Sequence, residues 1–394
     1  MMNARKATAA VAMAVLAAGC ASEIPAVAPV TTTTVPAGYP TTPVGDDQIR
    51  LNQVQLVGAH NSYHVAPDPN LLQLMVQAAQ SFPSLASGLG NPAELAYTHA
   101  GITQQLERGL RTFELDVFAD PTGGRFANPV IPGWFGFNDP FLSPELGAPG
   151  FKVLHIQDID YRSQCPSLVS CLTEIRTWSD ANPGHLPIVI NLELKDDPLP
   201  AALNPTPVLE FDGPMLDAVD AELEATIGDR IIRPDDVRGA AVDLRTAITT
   251  TGWPTLAASR GKVLFFIDNA ELRDPYLDGH PSLTGRTMFT SSGEGQPDGA
   301  ILKVNEPGDG TGIAALVQQG YIVRTRADQA LVGDTAQRDV ALASGAQVVH
   351  TDYPKGEPQA GTGYIVDLGP ATQGRCNPVT TSPATCALPA VVEP

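Results

Sequence analysis

Positive charge is scarce in this chain. Lysine and arginine number 24 in 394 residues, against 43 aspartates and glutamates, and the formal net charge is −19. Nucleic-acid recognition needs a basic footprint, and simple adhesion to anionic lipid needs a polybasic patch, so the charge balance argues against both. Long hydrophobic runs are missing too: the apolar stretch over residues 7–18 is too short to span a bilayer. No glycine-rich nucleotide fingerprint follows the first strand-like segment, which argues against a doubly wound dinucleotide-binding sheet. A protein this acidic that handles a phosphate must meet it with a metal or a few placed cations.

The start, "MMNARKATAAVAMAVLAAGC", joins a basic beginning to a short apolar run and small residues, the pattern of a secretory signal. Its end, "LAAGC", resembles a bacterial lipobox with the leucine one place early, which makes Cys20 a candidate lipidation site and residues 1–20 a lipoprotein-type leader. Residues 21–47 are rich in Pro, Thr, Ala and Val and read as an extended tether. The other four cysteines, at an even count in an exported chain, suggest the local disulfides Cys165–Cys171 and Cys376–Cys386. A zinc site fits less well, because the spacings are long and no histidine lies close. The tail, residues 369–394, is again rich in Pro and Thr and would be stapled by the second pair.

Between tether and tail, residues 48–368 show no repeat and read as one domain, and 43% apolar content is ample for its core. Eight strand-like runs recur: "VQLVGAH", "RTFELDV", "FKVLHI", "PIVINLEL", "KVLFFID", "AILKV", "YIVRTRA" and "AQVVHTD". Most are continuously apolar, as strands covered on both faces are. Helical stretches such as "GPMLDAVDAELEATIG" and "TAQRDVALASG" lie between them. The expectation is an α/β fold, a distorted (β/α)8 TIM-type barrel with long inserted loops at residues 65–100, 119–150 and 270–299.

In such a barrel the chemistry stands at the C-terminal ends of the strands. The first run ends in His60-Asn61, the second carries Glu114 and Asp116, and the third carries His155. The fourth carries Glu193 and Lys195, the seventh Arg324, Arg326 and Asp328, and the last ends in Asp352-Tyr353. Residues i and i+2 of a strand share a face, so Glu114 pairs with Asp116 and Glu193 with Lys195. Carboxylates gathered in a barrel mouth need a positive partner. Asn61, Glu114, Asp116 and Glu193 make an oxygen cage suited to Ca2+, with Mg2+ as the alternative. Singly, each of these is more often a solvated face or a satisfied loop residue; the coincidence across four strands carries the reading. His64, His99, His185, His280 and His350 lack that support and read as structural.

The segments "GAHNSYH", "LERGLRTFELDVF", "KVLHIQD", "INLELK", "RTRAD" and "GAQVVHTDYP" together resemble the bacterial calcium-dependent phosphoinositide phospholipases C, over roughly residues 50–355. The resemblance implies that Asn61, Glu114, Asp116 and Glu193 bind calcium and that His60 and His155 are catalytic. Lys195 and Arg326 would contact substrate phosphate or inositol. It further implies cleavage of the glycerol–phosphate bond of phosphatidylinositol or a related inositol lipid. Glu114 or Glu193 would take the proton of the attacking hydroxyl, His60 would donate to the phosphoryl group, and His155 would protonate the leaving oxygen. "LELK" and "TDYP" are shared with glycerophosphodiester phosphodiesterases, the alternative reading; those usually carry arginine where this chain has Asn61. A non-catalytic surface lipoprotein is a third. The expected setting is a phospholipid surface reached by an exported, lipid-anchored or secreted protein, with no nucleic acid and no obligate protein partner.

Overall fold

The computed structural model describes residues 45–81, 91–134, 136–139, 142–369, 372–382, 385–386 and 393. The leader, Cys20 and the tether up to residue 44 lie outside the described residues. Just past them, Asp46 is already tied to the domain through an ion pair with Arg260.

Among the described residues ten strands form in chain order: β1 Val54–Ala59, β2 Thr112–Phe118, β3 Lys152–Val153, β4 Ile188–Leu194, β5 Val263–Ile267, β6 Phe289–Thr290, β7 Ile301–Lys303, β8 Ile322–Arg326, β9 Val348–Thr351 and β10 Arg375–Cys376. Eight of them lie side by side in the order β6-β5-β4-β2-β1-β9-β8-β7, all parallel. A single parallel bridge, Ser291 to Ile301, brings the two ends together, so the barrel is nearly closed. The apolar strand residues are buried throughout, as a sheet covered on both faces requires. Helices such as Gly213–Thr226, N-capped by Asp212, and Thr335–Ala343, N-capped by Asp334, fall where the amphipathic stretches place them.

The count of eight barrel strands holds, but one member differs. "FKVLHI" is not a barrel strand: only β3 is extended, and it pairs antiparallel with the end of β2. The place in the barrel belongs to β6, two residues long and without an apolar run that periodicity could detect. His155 therefore projects from a loop just beyond β3 rather than from a barrel strand.

Gly58 is the one place where β1 and β2 need glycine. A Cβ there would lie 1.7 Å from the Thr112 carbonyl oxygen. Away from the active face, Arg111 is almost wholly buried; its guanidinium pairs with Glu393 and lies over the Trp178 ring, 4.6 Å from the centroid. Both expected disulfides are formed, Cys165–Cys171 and Cys376–Cys386, and β10 joins β1 antiparallel, which fastens the tail to the barrel.

Candidate active site

Strand register assembles the acidic group. Asp116 on β2 stands directly opposite Glu193 on β4, and Glu114 opposite Asn191. Alternation puts Glu114 and Asp116 on one face, so three carboxylates converge: oxygens of Glu114, Asp116 and Glu193 lie within 4.8 Å of one another. Asn61 follows β1 in a left-handed conformation (φ 46°), which asparagine tolerates better than most residues. Its Nδ2 donates to Tyr97 Oη at 3.0 Å, while Oδ1 is buried and accepts no hydrogen bond among the described residues.

Charge in this cluster is unevenly placed. Burial opposes ionisation of Glu114, but the Arg324 guanidinium, His60 and a hydrogen bond from His350 outweigh it and hold the carboxyl well below the usual range. Arg324 and His350 both engage Glu114 Oε2, leaving Oε1 toward the mouth. Burial pushes Asp116 well above the ordinary aspartate range despite Lys195. Neither Asp116 oxygen accepts a hydrogen bond of good geometry, though Lys195 Nζ stands 3.1 Å from Oδ2. The same ammonium is 2.8 Å from Glu193 Oε1, and it outweighs burial to lower that carboxyl.

These residues fit a hard divalent cation. The donors are all oxygen, they converge, and the bare oxygens of Asn61 and Asp116 are buried acceptors that a folded protein does not ordinarily leave unmet.

Two imidazoles flank the cage, each tethered by a carboxylate. His60 Nδ1 lies 2.9 Å from Asp352 Oδ1, and its Nε2 is 3.5 Å from Glu114 Oε1. Burial opposes the Asp352 charge, but the His60 contact and Arg326 bring its pKa down to about 2. An ionised Asp352 can only accept, so the proton of the contact sits on Nδ1 and Nε2 is left bare. Burial, then Arg326, lowers the His60 pKa below the usual imidazole value. His155 Nδ1 lies 2.8 Å from Asp160 Oδ2. A cleft of about 360 Å³ takes in His60, Asn61, Tyr97, His155, Glu193, Lys195 and Arg326, and a second lobe of about 210 Å³ adjoins it at His155, Glu193 and Lys195.

His60, Asn61, His155, Glu193, Lys195 and Arg326 line this cleft, and Glu114 and Asp116 are buried beside Glu193. Arg326 reaches it through Asp352, to which its Nη2 donates at 2.9 Å. Three histidines read as structural also belong here. His64 Nε2 reaches Asp160 Oδ2 at 2.6 Å, the oxygen that His155 uses. His99 Nε2 lies 3.0 Å from the His60 carbonyl oxygen, and its Nδ1 pairs with Glu357 at 2.6 Å. His350, brought down to about 4 chiefly by burial, binds Glu114. Nothing in the spacing of Asp160 or Tyr97 marks either of them in the sequence. His185 bonds Ser179 and the Leu186 carbonyl, and His280 the Thr284 carbonyl, so both remain structural.

An eight-stranded parallel barrel with an oxygen cage between two carboxylate-held imidazoles has the layout of a metal-dependent phosphodiesterase. The family model described as phosphoinositide phospholipase C, Ca2+-dependent, matches residues 49–378, and the chain belongs to that family. It is accordingly a calcium-dependent phospholipase C of the phosphoinositide type, an enzyme that acts on a lipid phosphodiester. No curated protein matches it. Among solved structures it is similar to a calcium-dependent phosphoinositol-specific phospholipase C of a Pseudomonas species, at 17% identity over 81% of this chain and 95% of that one, TM-score 0.49. It is similar to a Ca2+-dependent phosphatidylinositol-specific phospholipase C of Streptomyces antibioticus at 17% identity, over 77% of this chain and 95% of that one, TM-score 0.49. The phosphatidylinositol-specific phospholipase C of Listeria monocytogenes is 14% identical over 78% of this chain and 91% of that one, TM-score 0.39.

Proposed function

We propose that this chain cleaves the glycerol–phosphate bond of phosphatidylinositol or a close relative by the paired action of His60 and His155 around a calcium ion held by Asn61, Glu114, Asp116 and Glu193. The observation that carries the reading is the convergence of those carboxylates in one cleft with two imidazoles, each held by an acid through Nδ1.

A calcium ion held by Asn61, Glu114, Asp116 and Glu193 would supply Lewis acidity, which lowers the pKa of a hydroxyl and offsets phosphoryl charge. His60 Nε2 takes the hydroxyl proton. This differs from the family resemblance, which gave the proton to a carboxylate, and rests on two facts. Glu114 has one oxygen committed to Arg324 and His350, and His60 Nδ1 already carries its proton toward Asp352. Asp352 orients the ring and steadies the imidazolium that forms. On the far side His155 passes a proton from Nε2 to the leaving diacylglycerol oxygen, with Asp160 fixing Nδ1. Burial opposes the Asp160 charge, but His64 and His155 outweigh it and keep that carboxyl below its ordinary range, hence ionised. Arg326 and Lys195 line the cleft and offer positive charge to a substrate phosphate.

Two disulfides suit an oxidising compartment, and no helix among the described residues is long and apolar enough to cross a membrane. A leader cut at Cys20, with lipid on that cysteine, would hold the enzyme beside its substrate. The test measures inositol phosphate released from phosphatidylinositol against glycerol phosphate released from glycerophosphocholine, with chelator and then with calcium or magnesium restored. Release from phosphatidylinositol that calcium alone rescues supports the reading; preference for the glycerophosphodiester refutes it.

A further inference from the structure

Lys195 belongs at once to the cage and to the cleft. Its ammonium lies 2.8 Å from Glu193 Oε1 and 3.1 Å from Asp116 Oδ2, two of the three carboxylates that converge. A divalent ion drawing on all three acids competes with that ammonium for the same oxygens and repels it at contact range. The other two cations of the mouth are differently committed. Arg324 is buried and bonded to Glu114 and Asn305, and Arg326 is bonded to Asp352.

The backbone at Lys195 cannot follow the side chain, because its N–H donates to the Val117 carbonyl at 2.8 Å. The side chain can swing. It is 23% exposed and lines both lobes of the cleft next to His155, so an ammonium released from the acids enters the space where a substrate phosphate must sit. Charge favours this exchange. With all three acids ionised, as a bound cation requires, they exceed Arg324 and Lys195 by one negative charge, whereas calcium added with both cations in place leaves this group positive. A phosphodiester brings the missing negative charge, and the freed ammonium meets it.

We propose that Lys195 is the counter-cation which calcium displaces, and that the displaced ammonium becomes the clamp on the substrate phosphate, coupling metal binding to phosphate binding. This rests on the calcium cage assigned above. Because coupling is reciprocal, a phosphate ligand tightens calcium and calcium tightens the phosphate ligand by the same factor.

Calcium binding to the full chain is measured by calorimetry, with and without myo-inositol 1-phosphate. Lys195→Met is expected to bind calcium more tightly than the wild type when no phosphate is present, within the range of about 5–150-fold usual for coupled sites. The wild type is expected to gain calcium affinity from myo-inositol 1-phosphate, Lys195→Arg to keep that gain, and Lys195→Met to lose it. Equal or weaker calcium binding by a folded Lys195→Met overturns the exchange while leaving the cage intact. Absence of any calcium isotherm in the wild type overturns the cage and the exchange together. A measurement on the unmutated chain guards against a misfolded variant. The 15N resonance of the Lys195 ammonium should shift and its protons exchange faster as calcium is added, and an unchanged signal at saturating calcium refutes the proposal.

Discussion

Asp352 and His60 meet through Oδ1 and Nδ1 at 2.9 Å, although they stand 292 residues apart, on the exits of the neighbouring strands β9 and β1. The contact sets the ring's tautomer and aims Nε2 at the cleft. The same carboxylate oxygen receives Arg326 Nη2, so one acid orders both an imidazole and a guanidinium that line the cleft.

Removing either imidazole should remove one proton transfer. His60→Ala and His155→Ala are each expected to lower turnover on phosphatidylinositol by about 10²–10⁴-fold, the usual worth of a positioned acid or base. Asp352→Asn should fall within the same range with the fold intact, because an amide can present the wrong group to Nδ1. A near-wild-type rate in any of the three removes that residue from the mechanism.

Proton linkage gives His60 a direction. Its pKa is lowered from 6.5, and the base form is the active one, so the acid limb of kcat/KM should lie below pH 6.5. A nearby divalent cation moves it the same way. Stability tells a separate story through Asp352, whose carboxyl falls from 3.8 to about 2 on folding. A depressed acid contributes above its unfolded pKa and loses that contribution as pH drops through the folded value. About 2 kcal/mol should therefore vanish between roughly pH 4 and pH 2 in the wild type but not in Asp352→Asn. Denaturant melts of the two proteins across that window, if parallel, would count against the pairing.

The legible part of this protein was whatever repeats in register. Alternation along "FELDV" and "LELK" fixed which side chains share a face, and parallel pairing then set Asp116 against Glu193. What escaped has no period. Phe289–Thr290 is too short to announce itself as a barrel strand, and β3 turned out to pair antiparallel, so His155 arrives on a loop. Asp160 holds His155 from only five residues away, but inside an irregular turn. Tyr97 and His99 come from a long insertion whose folding back no local pattern encodes; the backbone bond from His99 to His64 that returns it to the site is visible only in three dimensions.

Calcium should stabilise the fold through the cage. A ligand at 100 times its Kd adds about 2.7 kcal/mol to unfolding free energy, so Tm should rise measurably with calcium and return with chelator. Asp116→Asn should abolish that rise. Without calcium it should cost little, because burial already penalises the Asp116 charge. Glu193→Gln, at a half-exposed position, should shift the calcium midpoint upward with little change in the metal-free Tm. An unaltered calcium response in both variants would mean that the ion binds elsewhere.

The last prediction concerns the tail. Arg111 is 1% exposed at the start of β2, and two of its nitrogens reach the Glu393 carboxylate, which also accepts the Leu186 N–H at 2.7 Å. A guanidinium stripped of its counter-ion in such a place is expensive, because water cannot replace the carboxylate. Glu393→Ala, which leaves the rest of the tail and its disulfide in place, should lower stability by about 3–5 kcal/mol, the usual cost of breaking a buried ion pair. Arg111→Met with Glu393→Ala should recover part of that loss, since no unpaired charge then remains. Neither change touches the cleft, so kcat on the folded fraction should stay near the wild-type value. If Glu393→Ala melts with the wild type, the carboxylate is not what holds Arg111, and its compensation must come from the Leu106 and Leu110 carbonyls and the Trp178 ring.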